Sequence, residues 1–490
     1  MGSEPRALQR LVVVGDGLVA AGAAVTLARL LRPHACQVMW VRPETGRGSQ
    51  EGGVEVADPA LGRWLAMMGY PESELVRACE GLYSLGTEYR TGAGTFFLPY
   101  GTHGIRPSPA PFEQEFFKRF QGAEQRAFAN HFLATQAARR GRFDFPVDDP
   151  RSAKSTLRYG LHLDRAALAR CLGEFARSLG VECLHCKTFE VNGDPDSGIR
   201  HLSVDEGTEV AGDFFVDATG ESALLLGEAL GVPFEQSGVA PWRYRLTYQE
   251  AAEHPWQPRA QMSREPWGWR RRAGLQGRRV VDCWVRDEAA LEQLQQELGA
   301  CGEAATVEVL GAGRRASGWA HNCLALGHAD ALPGELALSE WFWASRCLLL
   351  WLELLPDATG RPALRAEYNR RRQGLYEILN EVHWMHAANV ECDEASLPES
   401  LQWRLSVFRT FGRLWRRDDE VLSDEAWVAL ALGLGWHPKG YDVTLADIGV
   451  ERLQDKHDTI YRTLVKVAET MPTLTSVLKG SDKGLGNEVK

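Results

Sequence analysis

The chain has 490 residues, of which 44% are apolar and 24% are charged. This balance is typical of a soluble globular protein and excludes a disordered chain, a collagen-like repeat and a disulfide-stabilised miniprotein. Lysine and arginine number 55 against 65 aspartates and glutamates, so the net charge is −10, which argues against a nucleic-acid-binding surface. No secretory signal or membrane-spanning run is predicted, and the cysteines are scattered, so we expect a cytoplasmic protein.

A βαβ unit is predicted near the N-terminus. An apolar run at residues 11–14 ends at Gly15 and Gly17, a small-residue helix follows over 21–31, and a second strand covers 37–41. Gly15 permits a tight turn, and Gly17 lets a pyrophosphate approach the backbone. Ala20 lets the helix pack on its strand, and the free N–H groups of the helix N-terminus then face the phosphates. The pattern predicts a dinucleotide site, with a purely structural glycine turn as the alternative.

The end of the second strand departs from the usual dinucleotide pattern. An acid that accepts hydrogen bonds from a ribose hydroxyl normally stands there, whereas this chain has Val41-Arg42-Pro43-Glu44. Arg42 could bind a phosphate or stack on adenine, and Glu44 could replace the acid. Weakened affinity for the cofactor is the expected consequence.

Two later strands also end in glycine turns. Residues 213–220 place Asp217, Thr219 and Gly220 after a buried strand, and residues 322–327 lead into Gly327-His328-Ala329. An early glycine-rich βαβ unit followed by two such turns suggests a flavoprotein, in which distant pieces of chain build one sheet and the later turns wrap the cofactor. An acid is the usual residue where His328 stands.

These segments together resemble the flavin-dependent tryptophan halogenases and their monooxygenase relatives. The similarity runs almost the whole length and includes GDGLVAAGAAV, GGVEVADP, YGLHLDRAALARCL, DFFVDATGESALLLGEALGVPF, PWGWRRRAGLQGR, WAHNCLALGHADALPGELALSEWFW and SDEAWVALALGLGWHPKGYD. It implies an α/β fold, with an FAD-binding Rossmann-type domain of the p-hydroxybenzoate hydroxylase type and a helical substrate-binding domain. The implied cofactor is FAD, and the predicted cofactor-binding residues are Gly15, Gly17, Ala20, Arg42, Asp217, Gly220 and Gly327.

The resemblance also suggests a division of the chain. Residues 1–106 are predicted as the first part of the FAD-binding domain and 107–150 as a helical insertion. Residues 151–365 would continue the FAD-binding domain with a substrate-side sheet, and 366–490 would form a C-terminal helical domain.

The residues that the family uses for halogenation are mostly replaced in this chain. Ser84 falls where the resemblance places the essential lysine, and a hydroxyl carries no ammonium to capture or polarise an oxidised halide. Leu98, in Leu98-Pro99-Tyr100-Gly101, falls where the resemblance places the family's pocket histidine. The family's glutamate falls near Ala337, although a two-residue slip would supply Glu335.

With the lysine absent, the resemblance favours oxygen transfer over halogenation. The predicted activity is that of an FAD-dependent monooxygenase that hydroxylates an indole or tryptophan side chain through a C4a-hydroperoxyflavin. A tryptophan within a peptide or a small protein subunit is the predicted substrate, as in the flavoprotein of tryptophylquinone biogenesis in quinohemoprotein amine dehydrogenase. The alternatives are a flavin-dependent tryptophan or indole halogenase and a non-catalytic flavin-fold binding protein. Glu335 and His328 are the candidate proton donors, and a separate flavin reductase could supply electrons.

An arginine cluster interrupts the family's Trp-x-Trp-x-Ile-Pro signature after Trp267-Gly268-Trp269. Arg270, Arg271 and Arg272, with Arg278 and Arg279, could face a protein substrate or the flavin phosphates; a plain surface cluster is the alternative.

Two histidines and two cysteines have spacings that invite a metal-site interpretation. Cys183 and Cys186 form a single Cys-x-x-Cys pair, and His383 and His386 lie three residues apart on a predicted helix. Neither pair has further ligands at metal spacing, so no metal site is predicted. The cysteines are expected to have a structural role, and the histidines are expected to pack within the helix or to form part of the substrate wall.

Overall fold

The computed structural model describes residues 7–44, 53–105, 110–205, 207–236, 241–299, 304–334, 336, 338–357, 361–388, 395, 397–417 and 419–484. Within these ranges the strands are β1 (Arg10–Gly15), β2 (Gln37–Pro43), β3 (Val54–Ala57), β4 (Leu82–Ser84), β5 (Gly86–Thr91), β6 (Gly94–Pro99), β7 (Gly160–Asp164), β8 (Glu182–Cys186), β9 (Phe189–Asp194), β10 (Gly198–Val204), β11 (Thr208–Ala211), β12 (Phe214–Ala218), β13 (Phe234–Gln236), β14 (Tyr244–Ala251), β15 (Ala260–Glu265), β16 (Gly268–Gly274), β17 (Arg278–Val285), β18 (Thr306–Val309), β19 (Gly313–Arg315), β20 (Trp319–Ala320), β21 (Cys323–Ala325) and β22 (Ala331–Leu332). The α-helices are α1 (Gly17–Leu30), α2 (Pro59–Met68), α3 (Glu72–Ala78), α4 (Phe112–Arg119), α5 (Leu133–Arg139), α6 (Arg165–Ser178), α7 (Glu288–Leu298), α8 (Glu340–Glu353), α9 (Pro362–Ala388), α10 (Glu399–Phe411), α11 (Asp424–Leu434), α12 (Val450–Thr470) and α13 (Leu474–Gly484).

The central sheet joins strands that are far apart in the sequence. Its order is β20-β21-β12-β1-β2-β8, and β1 lies between β2 and β12 with all three strands parallel. The sequence of β1, RLVVVG, is buried along almost its whole length, as expected for a parallel strand that is covered on both faces. The predicted Rossmann-type sheet, assembled from distant pieces of chain, is therefore confirmed.

Helix α1 packs closely on its neighbours because its residues are small. It begins at Gly17 rather than at the predicted residue 21. A Cβ atom on Gly22 would lie 2.1 Å from the ring of Trp341 on α8, so the absence of a side chain lets the indole lie against the helix backbone. This contact joins the N-terminal βαβ unit directly to α8.

A second sheet carries the arginine cluster. Its order is β18-β14-β17-β16-β15-β5-β6, with antiparallel neighbours except for the parallel pair β5 and β15. Each of the five arginines on β16 and β17 forms an ion pair with a carboxylate of the same chain. Their carboxylate partners are Glu265, Asp282, Glu250, Glu253, Asp164 and Glu80. The structure thus favours the plain-cluster alternative over a surface for a protein substrate or for flavin phosphates.

The segment predicted as a helical insertion, 107–150, is helical in α4 and α5 and packs against α12. Nζ of Lys456 lies 2.6 Å from a carboxylate oxygen of Glu115, and Nη2 of Arg119 lies 2.9 Å from Oδ1 of Asp458. The C-terminal part is helical in α9 to α13, while the four-part division remains a prediction. Across the described ranges, no helix is both long enough and apolar enough to cross a membrane.

Five buried histidines are expected to make the fold sensitive to acid. Burial lowers the pKa of His131, His162 and His386 to about 4, and that of His383 and His457 to about 3. Histidines of the unfolded chain titrate near 6.5, so the unfolded state binds more protons than the folded state between pH 6.5 and the folded values. The free energy of unfolding should therefore fall as the pH is lowered through this window, by up to about 1.4 kcal/mol per pH unit for each histidine.

Calorimetry at pH 7.5 and pH 5.0 tests this prediction. The substitution His457→Phe keeps a ring among Phe112, Phe116 and Phe120 but removes one titrating group, so it should reduce the loss of Tm on acidification. The exposed His34→Phe serves as the control and should leave the loss unchanged. Equal losses of Tm in both variants and in the parent would contradict the assignment to His457.

Candidate cofactor and substrate site

The β1–α1 turn has the geometry of an anion site. Gly15 has a φ of +136°, and a Cβ atom there would lie 2.1 Å from the carbonyl oxygen of Ala218 on β12. Gly17 has a φ of +80°, which also favours glycine. The N-cap residue Asp16 forms no side-chain hydrogen bond to the first turn of α1, so that turn keeps its N–H groups available to an anion. The predicted Gly15, Gly17 and Ala20 meet here, and the turn fits a pyrophosphate.

Arg42 lies at the predicted edge of this turn, but its charge is already paired. Its Nη2 lies 2.6 Å from Oδ1 of Asp16, and its guanidinium lies 4.6 Å from the ring centroid of Trp40. Nε1 of Trp40 in turn donates to the carbonyl of Gly15 at 2.9 Å. Arg42 therefore ties β2 to the glycine turn, and its direct contact with a phosphate or adenine stays a prediction.

Asp217 stabilises the second predicted turn through hydrogen bonds to its carboxylate. Its fully buried carboxylate accepts hydrogen bonds from the N–H and hydroxyl of Thr219 and from the N–H groups of Leu225 and Leu226. Burial raises the pKa of Asp217, and these donors oppose the rise. Asp217 thus holds the turn in which Gly220 has a φ of +70°. Cofactor contacts by Asp217 and Gly220 remain predictions.

An acid that the sequence analysis missed, Glu340 of α8, lies beside the third predicted turn. Gly327 has a φ of +61°, and the N–H of His328 donates to Oε1 of Glu340 at 3.1 Å. Nδ1 of His328 lies 3.6 Å from the same oxygen, and the other oxygen of Glu340 is paired with Arg165. The signal for Glu340 was the Ser-Glu pair before an apolar helix, since Ser339 caps α8. Glu335, the other candidate proton donor, lies outside the described residues.

A cavity of about 510 Å³ is lined by residues around the α8 N-terminus, among them Ser339 and Trp341, but not by Glu340 or the third glycine turn. Its walls include five aromatic side chains: Trp64, Tyr89, Tyr100, Trp341 and Phe342. Leu98 also lines it. Ser84 does not belong to the lining; it is fully buried, and its hydroxyl donates to the carbonyl of Gly86 at 3.2 Å.

A neutral hydrogen-bonded pair faces the aromatic cavity. Nδ1 of His386 donates to the carbonyl of Val382 at 2.8 Å, which leaves Nε2 to accept from the hydroxyl of Tyr89 at 3.1 Å. Burial lowers the pKa of His386 to about 4 and raises that of Tyr89. Trp269, from the predicted tryptophan signature, lies behind the pair and donates to the carbonyl of His386. His386 thus lines the cavity, and a place in the substrate wall stays a prediction.

The charged groups of the cavity lining are mainly cationic. Arg63 and Arg158 are exposed and Arg346 is half-buried, whereas each of the two acids accepts a hydrogen bond from within the protein. Glu55 accepts a hydrogen bond from Ser339, and Asp58 caps α2 by accepting from the N–H of Ala60. Burial raises the pKa of Asp58, against the opposing effect of Arg63 and Arg346. None of the described lining residues is a lysine.

Comparison with known proteins identifies the family. The sequence model of the family described as Tryptophan halogenase matches residues 10–449. The chain belongs to the tryptophan halogenase family. The cofactor of this family is FAD, so the predicted fold and cofactor are confirmed, and the family groups flavoenzymes of the oxidoreductase type.

Individual relatives are distant in sequence but close in fold. Tryptophan 6-halogenase SttH from Streptomyces toxytricini is 28% identical over 252 residues, which is 48% of each chain. The chain thus spans about half the length of such curated relatives. BrvH, a flavin-dependent halogenase from Brevundimonas sp. BAL3, superposes with a TM-score of 0.87 at 23% identity, covering 97% of this chain and 100% of that one. Xcc4156, a flavin-dependent halogenase from Xanthomonas campestris, gives 0.86 at 23% identity, with 97% and 99% covered. These relatives do not support the predicted link to tryptophylquinone biogenesis.

Proposed function

We propose that this protein is an FAD-dependent halogenase that acts on an indole-type ring held in the aromatic cavity. The observation that carries the proposal is the position of α8. Ser339 lies in the cavity wall, and the next residue, Glu340, contacts the third glycine turn. The N-terminus of one helix therefore separates a predicted flavin site from a cavity of a size and composition suited to an aromatic ligand.

The cavity residues supply binding and orientation. FAD, when bound and reduced, supplies the electrons with which O₂ is activated, and a separate flavin reductase is the proposed source of reduced FAD. The aromatic walls exclude water and offer edge and face contacts to an indole. Tyr89 is held by neutral His386, so this part of the wall presents no charge near neutral pH.

The charges in the lining favour a substrate without an ammonium group. An ammonium that enters an apolar site needs a carboxylate partner. Three arginines line the cavity against two acids, Glu55 and Asp58, and burial raises the pKa of Asp58, so the charge balance of the lining favours an anion. Indole or an indole carboxylic acid therefore suits the cavity better than free tryptophan or tryptamine. A peptide-bound tryptophan loses the support that the arginine cluster of β16 and β17 offered, because those arginines are paired.

One observation favours a second candidate, the FAD-dependent monooxygenase. Ser84, which falls where the resemblance places the family's lysine, is buried and bonded to Gly86. Among the described residues of the lining, lysine is absent, so no ammonium in that set can capture an oxidised halide. Oxygen transfer to the ring would need no such group.

The two candidates differ in the product formed from indole. Enzyme, reduced FAD, O₂ and indole are incubated with and without bromide, and the products are analysed by mass spectrometry. We expect the paired bromine isotopes only with bromide, and more product from indole or indole-3-propionate than from tryptophan, tryptamine or a tryptophan-containing peptide. A mass gain of one oxygen that occurs equally with and without bromide would support the monooxygenase and contradict the halogenase. Preferential hydroxylation of the peptide would restore the protein-substrate hypothesis.

A cavity-filling variant tests whether this cavity is the substrate site. Leu98→Trp adds an indole to the lining and should lower kcat/KM by about 10-fold or more, with FAD affinity unchanged. Val309→Trp, on the exposed face of β18, is the control and should behave as the parent. Unchanged kcat/KM in Leu98→Trp would place the substrate elsewhere.

A further inference from the structure

The third glycine turn has a histidine where an acid is usual, yet a carboxylate lies beside it. Oε1 of Glu340 accepts from the N–H of His328 at 3.1 Å, and Nδ1 of the same histidine is 3.6 Å away. We propose that Glu340 takes over the role of the missing acid by accepting a hydrogen bond from a ribityl hydroxyl of the flavin. The inference rests on the flavin site of the proposed function and concerns a residue that the resemblance did not assign.

The carboxylate of Glu340 is held firmly at the turn. Arg165, the first residue of α6, pairs with its second oxygen, and the N–H of Arg165 donates to the carbonyl of Gly53 at 3.1 Å. Glu340 also opens α8, where the helix dipole stabilises a negative charge. Gly327 permits the approach, because a Cβ atom there would lie 2.6 Å from Oε1 of Glu340. Three separate segments thus fix the carboxylate in one place.

The fixed carboxylate still has capacity for a ligand. An ionised carboxylate offers about four acceptor positions, and the hydrogen bonds from His328 and Arg165 use two of them. The side chain retains 12% exposure, so it is open to a bound molecule. A hydroxyl donates to such an oxygen, whereas a phosphate would be repelled by its charge. The ribityl chain carries the hydroxyls of the flavin, which makes it the fitting partner.

Binding of oxidised flavins tests the proposal without turnover. Affinities of parent and Glu340→Gln for lumiflavin, riboflavin and FAD are measured by titration of flavin fluorescence. Lumiflavin has no ribityl chain, and riboflavin has the ribityl chain but no phosphate. We expect Glu340→Gln to lower the affinities for riboflavin and FAD by the same factor, about 10-fold, and to leave the affinity for lumiflavin unchanged. Unchanged lumiflavin binding also shows that the variant is folded.

Glu353→Gln is the matched control, since Glu353 lies at the other end of α8 on the surface. It should bind all three flavins as the parent does. Three results would overturn the proposal: riboflavin bound equally or more tightly by Glu340→Gln, a loss confined to FAD, or an equal loss for lumiflavin. A parent that binds none of the flavins would instead reject the flavin site itself, so the two failures are distinguishable.

Discussion

Replacing Gly17 by valine is expected to lower the affinity for FAD by roughly 100-fold, which corresponds to about 3 kcal/mol of binding free energy. Gly17 begins α1 with a φ of +80°, a conformation that a β-branched residue adopts only under strain. Its side chain would also occupy the space through which the pyrophosphate approaches the N–H groups of the helix. Isothermal titration with oxidised FAD measures the effect directly.

Gly180→Val separates backbone strain from loss of the site. Gly180 follows α6 with a φ of +90°, and a Cβ atom there would meet nothing within 4 Å. This variant should lose stability but bind FAD with the affinity of the parent. If Gly17→Val bound FAD as tightly as the parent, the β1–α1 turn would not be the pyrophosphate site.

The substitution Arg372→Met is expected to lower the free energy of unfolding by about 3–5 kcal/mol, because it leaves a buried charge without its partner. Arg372 on α9 is fully buried, and its Nη2 lies 2.6 Å from Oδ1 of Asp330. The same guanidinium donates to the carbonyl of Arg315 at 3.0 Å. The pair therefore connects the chain just after the third glycine turn to the long helix behind it.

Urea unfolding of three variants tests the cost of separating this pair. The double variant Asp330→Ala, Arg372→Met removes both charges and should recover part of the loss. Arg371→Met, the next residue along, removes a surface ion pair with Glu353 and should cost less than about 1 kcal/mol. A loss below 1 kcal/mol in Arg372→Met, or no recovery in the double variant, would contradict the expected role of the pair.

The central sheet was predictable because its signals are local. Apolar runs that end in glycine turns mark β1 and β12, although the order of the strands in the sheet differs from their order along the chain. The resemblance then supplied the FAD-binding fold. The helices within residues 107–150 were likewise predictable from short stretches of sequence, whereas their packing against α12 involves ion pairs between distant residues.

The candidate site was only partly predictable, because its parts meet through tertiary contacts. The resemblance put Leu98 at the position of a pocket residue, and the spacing of His386 left packing or a place in the substrate wall open. Glu340 was missed because its contact with His328 depends on how α8 packs against the third glycine turn. The sequence left two roles open for the arginines of β16 and β17, because their carboxylate partners come from strand pairing, as for Arg271 and Asp282, and from distant segments, as for Arg278 and Asp164.

The cationic lining of the cavity has a kinetic consequence for a molecule whose net charge is −10. Far from the cavity, a small anion meets repulsion, but salt confines that field to about 8 Å at physiological ionic strength. Within that distance, exposed Arg63 and Arg158 attract the anion toward half-buried Arg346. Halide ions and aromatic carboxylates would thus be attracted to the cavity over a short range only, and their association rates would fall as salt is added. The association rate of neutral indole would not depend on salt.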